Sequence, residues 1–272
     1  MAKAPTKSGH VRVGIGDWTY PPWRGTFYPK GLPQAQELGY AGTKLTSIEI
    51  NATFYRLQTA ASFRKWADAV PDGFVFSVKA PRLVTHRRVL AESLTAMQRF
   101  LQSGVLELGD RLGPILWQLA ATKQFEEADF GNFLERLPQW LDGQPLRHVV
   151  EVSHESFRDP AFIRLLRDFG VAAAYLENDA SPAIADLTAD FVYARLQKGK
   201  DTIETGYSPR DLDALAERAR IWAAGGEPDD LPHVDAAHKA ARQPRDVFIY
   251  FIREGKLRAP AAAAELIERL EA

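Results

Sequence analysis

The sequence predicts a TIM-like (β/α) barrel with about eight parallel strands, and three observations support this prediction. Short runs of β-branched and aromatic residues alternate with longer segments of helical periodicity, which is typical of parallel strands joined by crossover helices. The number of these runs matches the number of strands that close a barrel. The length of 272 residues is also usual for one barrel of this type. The predicted strands cover residues 11–16, 46–51, 74–79, 114–119, 148–153, 171–176, 191–196 and 246–252.

Predicted helices lie between most of these strands. They cover residues 60–70, 92–103, 126–137, 160–169, 209–224 and 260–271. Pro160, Pro209 and Pro260 each begin one of them, at a position where the N–H group that proline lacks would have no partner within the helix. Residues 178–189 have the weakest helical pattern, so we expect the helix after the sixth strand to be short or absent.

The composition is that of an ordinary globular protein. Hydrophobic residues make up 46% of the chain and charged residues 25%. The formal net charge of -1 gives no general attraction to nucleic acid or to an anionic membrane. The chain has no cysteine, which excludes disulfides, thiolate nucleophiles and cysteine-ligated metals held by it.

Neither the first ten residues nor any later run has the apolar length of a signal peptide or a membrane span. We therefore expect a disordered basic tail at residues 1–10 and a single barrel domain at residues 11–272. The same patterns favour a cytoplasmic protein with no membrane partner.

Six sequence runs resemble the YecE-like family, a domain of unknown function. They are GIGDWTYPPWRGTFYP from Gly14, TSIEINATFYR from Thr46, GFVFSVKAPR from Gly73, LGPILWQL from Leu112, VEVSHESF from Val150 and TADFVYAR from Thr188. Their order and spacing extend over most of the chain. The resemblance implies a TIM-type barrel, in agreement with the strand count. It implies no established reaction, so it assigns no catalytic role.

The chain also departs from the pattern of that family. Members often have Tyr-Phe-x-Asn-Asp in the last strand, where this chain has YFIRE from Tyr250. They often have an arginine at the position of Ser153, and Arg-x-His-Gly where this chain has RLQK from Arg195. These differences indicate a divergent member.

Alternation along the strands predicts which side chains enter the barrel, because successive residues of a strand point to opposite faces. Apolar residues occupy one face, which leaves a charged and polar set pointing inward near the top: Glu49, Lys79, Gln118, Glu151 and Arg195. Buried charges need partners, so this set forms either a structural ion-pair network or a functional pocket. For the functional reading, the catalytic candidates are Glu49, Lys79 and Glu151.

Glu49 and Lys79 belong to neighbouring predicted strands. We expect them to meet near the top of the barrel, to favour each other's charged forms, and to be hidden from the surface.

Loops that follow the strands form the functional face of a barrel. They supply the remaining candidate ligand-binding residues: Trp18, Tyr20, Asn51, Tyr55, Arg82, His86, His154 and Lys198, in addition to Gln118 and Arg195. The aromatic residues could stack on a sugar or a base, or could simply pack the loops over the rim. By the same argument, we assign no function to residues 225–245, which follow a helix.

Two glycine- and lysine-containing loops follow the last two strands, KGK from Lys198 and REGK from Arg253. Barrels often bind phosphate at this location, although a solvated charged loop is the alternative. His154 and nearby carboxylates could ligate magnesium or manganese, but the chain has no tight histidine motif and a hydrogen-bonding role for His154 is favoured. We therefore assign no metal and no specific cofactor.

Three functions are compatible with these patterns. The first is an enzyme acting on a small polar or anionic molecule, phosphorylated or sugar-like, at the carboxyl ends of the strands. The second is a nucleic-acid-processing or nucleic-acid-binding barrel, motivated by Arg82, His86, Arg87 and Arg88, though the net charge makes nucleic acid the less favoured partner. The third is a non-catalytic sensor of a small ligand. The patterns do not determine the reaction or the oligomeric state.

Overall fold

A closed barrel of eight parallel strands forms the centre of the protein in a computed structural model that describes residues 9–272. The strands are β1 Val11–Gly16, β2 Ser47–Ile50, β3 Val75–Lys79, β4 Leu112–Gln118, β5 His148–Glu151, β6 Ala172–Glu177, β7 Phe191–Leu196 and β8 Asp246–Phe251. Each strand pairs with its neighbour in the chain, and β8 pairs with β1 to close the barrel. The predicted fold class is confirmed.

The helices surround the barrel. They are α1 Glu37–Gly42, α2 Ala52–Tyr55, α3 Ala60–Asp68, α4 Arg82–Thr85, α5 Leu94–Leu101, α6 Glu127–Leu134, α7 Pro160–Asp168, α8 Pro209–Ala223 and α9 Ala259–Glu271. The six predicted helices correspond to α3 and α5–α9. The short helices α1, α2 and α4 were not predicted, because four to six residues carry too little periodicity to be recognised.

Proline and capping residues explain where the longer helices begin. Pro160 and Pro209 occupy the first positions of α7 and α8. The preceding Asp159 and Ser208 accept hydrogen bonds from backbone N–H groups of the first turn. An antiparallel pair of two-residue strands, Trp140–Leu141 and Gln144–Pro145, lies between α6 and β5.

No helix connects β6 to β7 within the described chain, as expected for residues 178–189. The later segment 225–245 packs there instead. The Asp186 carboxylate accepts hydrogen bonds from the backbone N–H groups of Val234 and Asp235, both at 2.8 Å. Arg167 of α7 pairs with Asp235 at 2.7 Å. The segment that we placed outside the functional face therefore covers the barrel wall where a helix is missing.

Two apolar layers follow the alternation of the strands. Ile48, Ile50, Phe76 and Val78 belong to the large core between strands and helices. A second cluster fills the interior of the barrel: Val75, Leu116, Val149, Ala172, Ala174, Leu176, Phe191, Tyr193, Phe248, Tyr250 and Ile252. At Gly14 a Cβ atom would lie 1.9 Å from the Ser47 carbonyl oxygen, so glycine permits the close approach of β1 and β2.

The expected tail at residues 1–10 lies outside the described residues except for Gly9 and His10. The N–H group of Gly9 donates to the Ala223 carbonyl and that of His10 to the Asp246 carboxylate, each at 3.0 Å. Across residues 9–272, no helix has both the length and the apolar character needed to cross a membrane.

Candidate functional site

A cavity of about 520 Å³ opens at the carboxyl ends of the strands. Loops after β1, β2, β3 and β8 form its wall, and inward side chains of β3, β4 and β7 form its floor. It is lined by Gly16, Asp17, Trp23, Asn51, Phe54, Tyr55, Lys79, His86, Gln118, Arg195, Phe251, Ile252, Arg253, Lys256 and Ala259. This is the end of the barrel where the sequence predicted a site.

The floor of the cavity is a buried ion network centred on Arg195. Its guanidinium donates two hydrogen bonds to the Glu49 carboxylate, each 2.9 Å long, and a third to Glu151. The Gln118 amide donates to the other oxygen of Glu151 at 2.5 Å. The three charged residues are almost fully buried: Glu49 is 0% exposed, Glu151 2% and Arg195 3%. One arginine thus neutralises two carboxylates.

Hydroxyl groups below the network hold Glu49 in place. The Tyr193 hydroxyl donates to Glu49 at 2.7 Å. The Ser77 hydroxyl lies 2.7 Å from the Tyr193 hydroxyl oxygen and 2.9 Å from the Pro114 carbonyl oxygen, and it donates its single proton to one of these two oxygens at a time. The Glu49 carboxylate therefore has its orientation fixed by Tyr193 and Arg195 of β7, and Ser77 of β3 contacts the same tyrosine.

Burial alone would raise the pKa of Glu49. The charges of Arg195 and Lys79, with hydrogen bonds from Arg195 and Tyr193, outweigh that effect and hold the pKa below its usual value. Glu49 is thus a charged, fixed carboxylate at neutral pH.

Lys79 lies beside this network without joining it. Its side chain is 7% exposed, and its Nζ atom lies 4.2 Å from the centre of the Phe54 ring. Among the described residues, no carboxylate lies within 4.0 Å of Nζ. The two nearby carboxylates, Glu49 and Glu151, both pair with Arg195 instead. Burial and the charge of Arg195 lower the pKa of Lys79 to about 8, against the opposing effect of the two carboxylates.

The expected contact between Glu49 and Lys79 is therefore wrong in detail. Both are buried, as predicted, and each charge does favour the other. The strand register, however, places Ser77 opposite Glu49, and Lys79 opposite Leu116 of β4. Arg195, from across the barrel, takes the position beside Glu49 that we expected Lys79 to occupy.

Asp17 and Asn51 connect the first two strand ends. Asp17 has a positive φ of 55° and accepts hydrogen bonds from the N–H groups of Asn51 at 2.8 Å and Ala52 at 3.3 Å. Burial raises the pKa of Asp17 in spite of these hydrogen bonds and of the Lys256 charge. A carboxyl group whose proton is held more tightly than usual is suited to proton transfer.

Arg253 and Lys256 bring two more cations to the cavity from the loop after β8. Arg253 has a φ of 61°, a left-handed conformation that is uncommon for a residue with a side chain. Lys256 Nζ lies 4.7 Å from the Tyr20 ring centre and 5.9 Å from that of Trp23, whose indole N–H donates to the Lys256 carbonyl at 2.9 Å. We predicted a possible anion site in this loop but did not choose either residue as a candidate.

The predicted site residues fall into two groups. Eight of the thirteen line the cavity or lie directly below it: Asn51, Tyr55, Lys79, His86, Gln118, Arg195, Glu49 and Glu151. Tyr55 is exposed at the rim, and its ring packs against Phe54 at 5.1 Å. Burial and the charges of Arg82 and Lys79 lower the pKa of His86, which favours a neutral imidazole.

The other five candidates do not line the cavity, each for a local reason. Trp18 packs on Trp66, with ring centres 5.3 Å apart. Tyr20 packs on Trp23 at 5.1 Å and reaches the site only through Lys256. The aromatic side chains of the loop after β1, residues 17–32, therefore mainly pack on one another and on α3, and Trp23 is the one that lies in the cavity wall.

Arg82, His154 and Lys198 are also directed elsewhere. Arg82 is exposed on α4. His154 Nδ1 bonds the Ser156 hydroxyl at 2.9 Å and accepts from the Ser156 N–H group, so it caps the short helical turn Glu155–Phe157. Lys198 forms an exposed ion pair with Asp179 at 2.6 Å. In the part of the chain that the structure describes, no three acidic or histidine side chains are grouped to hold a metal ion.

The fold and the site define a (β/α)₈ barrel with a charged cavity at the carboxyl ends of its strands. The family model described as "Protein of unknown function DUF72" matches residues 12–272. The chain therefore belongs to the DUF72 family, of which YecE-like is another name.

Solved structures of that family share the fold. A DUF72 family protein from Thermotoga maritima aligns over 97% of this chain and 100% of its own, with 22% identity and a TM-score of 0.71. One from Enterococcus faecalis aligns over 98% of this chain and 99% of its own, with 15% identity and a TM-score of 0.69. No curated protein matches the chain.

Proposed function

We propose that the chain is an enzyme whose substrate is a small anionic molecule, phosphorylated or sugar-like, bound in the cavity above Arg195. The observation that carries this proposal is the convergence of Lys79, Arg253 and Lys256 on one cavity. Among the described residues, none of the three has a carboxylate within 4.0 Å. Unpaired cations around a concave space favour an anion.

The position of Arg253 and Lys256 supports a phosphate or another compact anion. They follow the last strand, and the loops after the last two strands of a barrel commonly hold phosphate. The two loops touch: a Cβ atom on Gly255 would lie 2.4 Å from the Gly199 carbonyl carbon. The positive φ of Arg253 adds support, because backbone strain of about 1–3 kcal/mol is retained mainly where a site requires it.

The remaining polar groups are suited to chemistry on the bound anion. Glu49, Arg195 and Glu151 form a floor that is already paired and fixed. Lys79 and Asp17 have pKa values that approach neutrality from opposite sides, lowered in the lysine and raised in the carboxyl group. Such pairs are typical of acid–base catalysis.

Calorimetric titration with glycerol 3-phosphate and with glycerol tests the binding proposal. We expect glycerol 3-phosphate to bind and glycerol to bind at least about tenfold more weakly. Glycerol lacks the phosphate, and the loss of even one hydrogen bond to a charged group weakens binding by about this factor. Lys256→Met retains the apolar stem on the Tyr20 and Trp23 rings and should weaken phosphate binding by about tenfold. Lys65→Met, on the exposed face of α3, is the matched control. Equal binding of the two compounds contradicts the proposal.

Conversion of a bound phosphate compound separates the enzyme from a sensor. Nuclear magnetic resonance spectra of dihydroxyacetone phosphate and of other sugar phosphates, followed over hours with the protein, should show a new product for at least one of them. Tight binding of every compound without conversion of any would favour the sensor.

A second cavity favours a longer anionic ligand as the alternative function. Its volume is about 740 Å³, and it is lined by Arg87, Arg88 and Lys123 and shares His86 with the first cavity. Lys123 already pairs with Asp129 at 2.6 Å, whereas the two arginines are exposed. Single-stranded oligonucleotide binding that falls steeply with salt, and that Arg87→Gln with Arg88→Gln abolishes, would support a nucleic-acid partner.

A further inference from the structure

Lys79 differs from the other two unpaired cations of the cavity in its position and its surroundings. It enters from the end of β3, while the other unpaired cations enter from the loop after β8. Its Nζ atom faces an apolar ring, Phe54, at 4.2 Å. The charged groups around it are Glu49 from β2, Glu151 from β5, Arg195 from β7 and Arg253 after β8.

The ion network determines how Lys79 can act. Because Arg195 occupies both Glu49 and Glu151, neither carboxylate is free to hold Lys79 as an ammonium ion. The centre of the Phe54 ring lies 4.2 Å from Nζ on the other side, and this cation–π contact favours the ammonium form. Burial and the charge of Arg195 outweigh it and lower the pKa of Lys79 to about 8. A lysine in such surroundings releases its proton easily, and the neutral amine is a nucleophile.

We propose that Lys79 forms an imine with the aldehyde or ketone group of a substrate whose anionic group is held by Arg253 and Lys256. This inference rests on the proposed function and adds to it the class of substrate, an anionic carbonyl compound. The anionic group and the reacting carbon would share one cavity of about 520 Å³, which is large enough for a molecule of a few carbon atoms with a phosphate.

The step is balanced without any further reagent. The Nζ lone pair adds to the carbonyl carbon, the nitrogen loses one proton and the oxygen gains one, which gives a neutral carbinolamine. A second proton then lets the hydroxyl group leave as water, and the nitrogen lone pair forms the carbon–nitrogen double bond of a protonated imine. Asp17, whose pKa is raised and which lines the same cavity, is the residue that would give and take the proton. The protonated imine draws electrons from the adjacent carbon and so prepares its bonds for cleavage or proton loss.

Borohydride trapping tests the imine directly. Dihydroxyacetone phosphate carries both a ketone and a phosphate, dihydroxyacetone carries only the ketone, and glycerol 3-phosphate carries only the phosphate. With borohydride present, dihydroxyacetone phosphate should add to the protein the mass of the ketone less one oxygen atom. Peptide mapping should place that mass on Lys79. The yield should rise as the pH passes about 8, where Lys79 loses its proton.

Three variants assign the result. Lys79→Met should reduce trapping by about tenfold or more, because the other lysine that lines the cavity, Lys256, belongs to the loop after β8 and not to a strand. Lys256→Met should keep Lys79 reactive towards dihydroxyacetone but lower the yield with dihydroxyacetone phosphate. Lys65→Met should match the unaltered protein. A mass on exposed lysines in all variants alike overturns the inference.

The failure of this inference differs from the failure of the proposed function. If glycerol 3-phosphate binds in the cavity and dihydroxyacetone phosphate binds without any adduct on Lys79, the imine is refuted and the anion site remains. If neither phosphate compound binds, both are refuted. An adduct on Lys79 with dihydroxyacetone alone would retain the nucleophile and refute the anionic substrate class.

Discussion

Replacement of Arg195 by methionine tests whether the ion network holds the top of the barrel together. The substitution keeps an apolar stem but leaves Glu49 and Glu151 buried without their shared cation. Loss of one partner of a buried pair costs about 3–5 kcal/mol. The alternative response is protonation. For Glu49, whose carboxyl group has an ordinary pKa of 4.5, protonation at pH 7 costs about 3 kcal/mol, and at pH 5 less than about 1 kcal/mol.

We therefore expect Arg195→Met to lower the free energy of unfolding by about 3–5 kcal/mol at pH 7. The loss should shrink by about 2 kcal/mol or more at pH 5, because the stranded carboxylates become easier to neutralise there. Urea unfolding followed by tryptophan fluorescence measures both values, since Trp23 and Trp117 are fully buried.

Two further variants make the test specific. Arg218→Met breaks an arginine–carboxylate pair of which Asp230 is largely exposed, and it should cost less than about 1 kcal/mol. The triple variant Glu49→Gln, Glu151→Gln, Arg195→Met removes all three charges and should recover part of the loss. An Arg195→Met protein that is no less stable than Arg218→Met, or whose loss is the same at pH 5 and pH 7, would refute the reasoning.

Two other predictions concern titrating groups. The pKa of Lys79 is about 8 in the folded protein and 10.5 ordinarily, so the unfolded chain binds the lysine proton more tightly than the fold does. At pH 7 this difference destabilises the fold, and Lys79→Met, which removes it, should stabilise the protein by about 1–3 kcal/mol. The difference in stability between Lys79→Met and the unaltered protein should disappear as the pH rises from 8 to 10.5, which thermal unfolding measures. A Lys79→Met protein that is less stable than the unaltered protein at pH 7 would contradict this prediction. His148, bonded to Trp117 and Pro138, has its pKa lowered by burial to about 4 from 6.5. The free energy of unfolding should therefore fall by up to about 3 kcal/mol as the pH falls from 6.5 to 4. In His148→Gln the melting temperature should decrease less over the same pH range.

The barrel could be predicted from the sequence because its signals are local. Alternation along each strand places Glu49, Glu151 and Arg195 in the interior, and the structure agrees. Helix starts such as Pro160 and Pro209 also depend only on nearby residues.

Contacts between strands were less predictable. The partner of Glu49 depends on the register between β2 and β3 and on reach across the barrel, and neither is encoded in either strand alone. Arg253 and Lys256 belong to a loop whose direction follows from a positive φ and a close glycine contact. His154 was a candidate only because of its residue type, and its turn uses the ring as a cap.

The missing helix between β6 and β7 changes how this part of the chain tolerates substitution. A helix that covers a barrel wall needs only an apolar stripe, and many sequences provide one. Here the cover depends on particular bonds, from Asp186 to the backbone at Val234 and Asp235 and from Arg167 to Asp235. Residues 178–189 and 225–245 must therefore vary together, although they lie far apart in the chain.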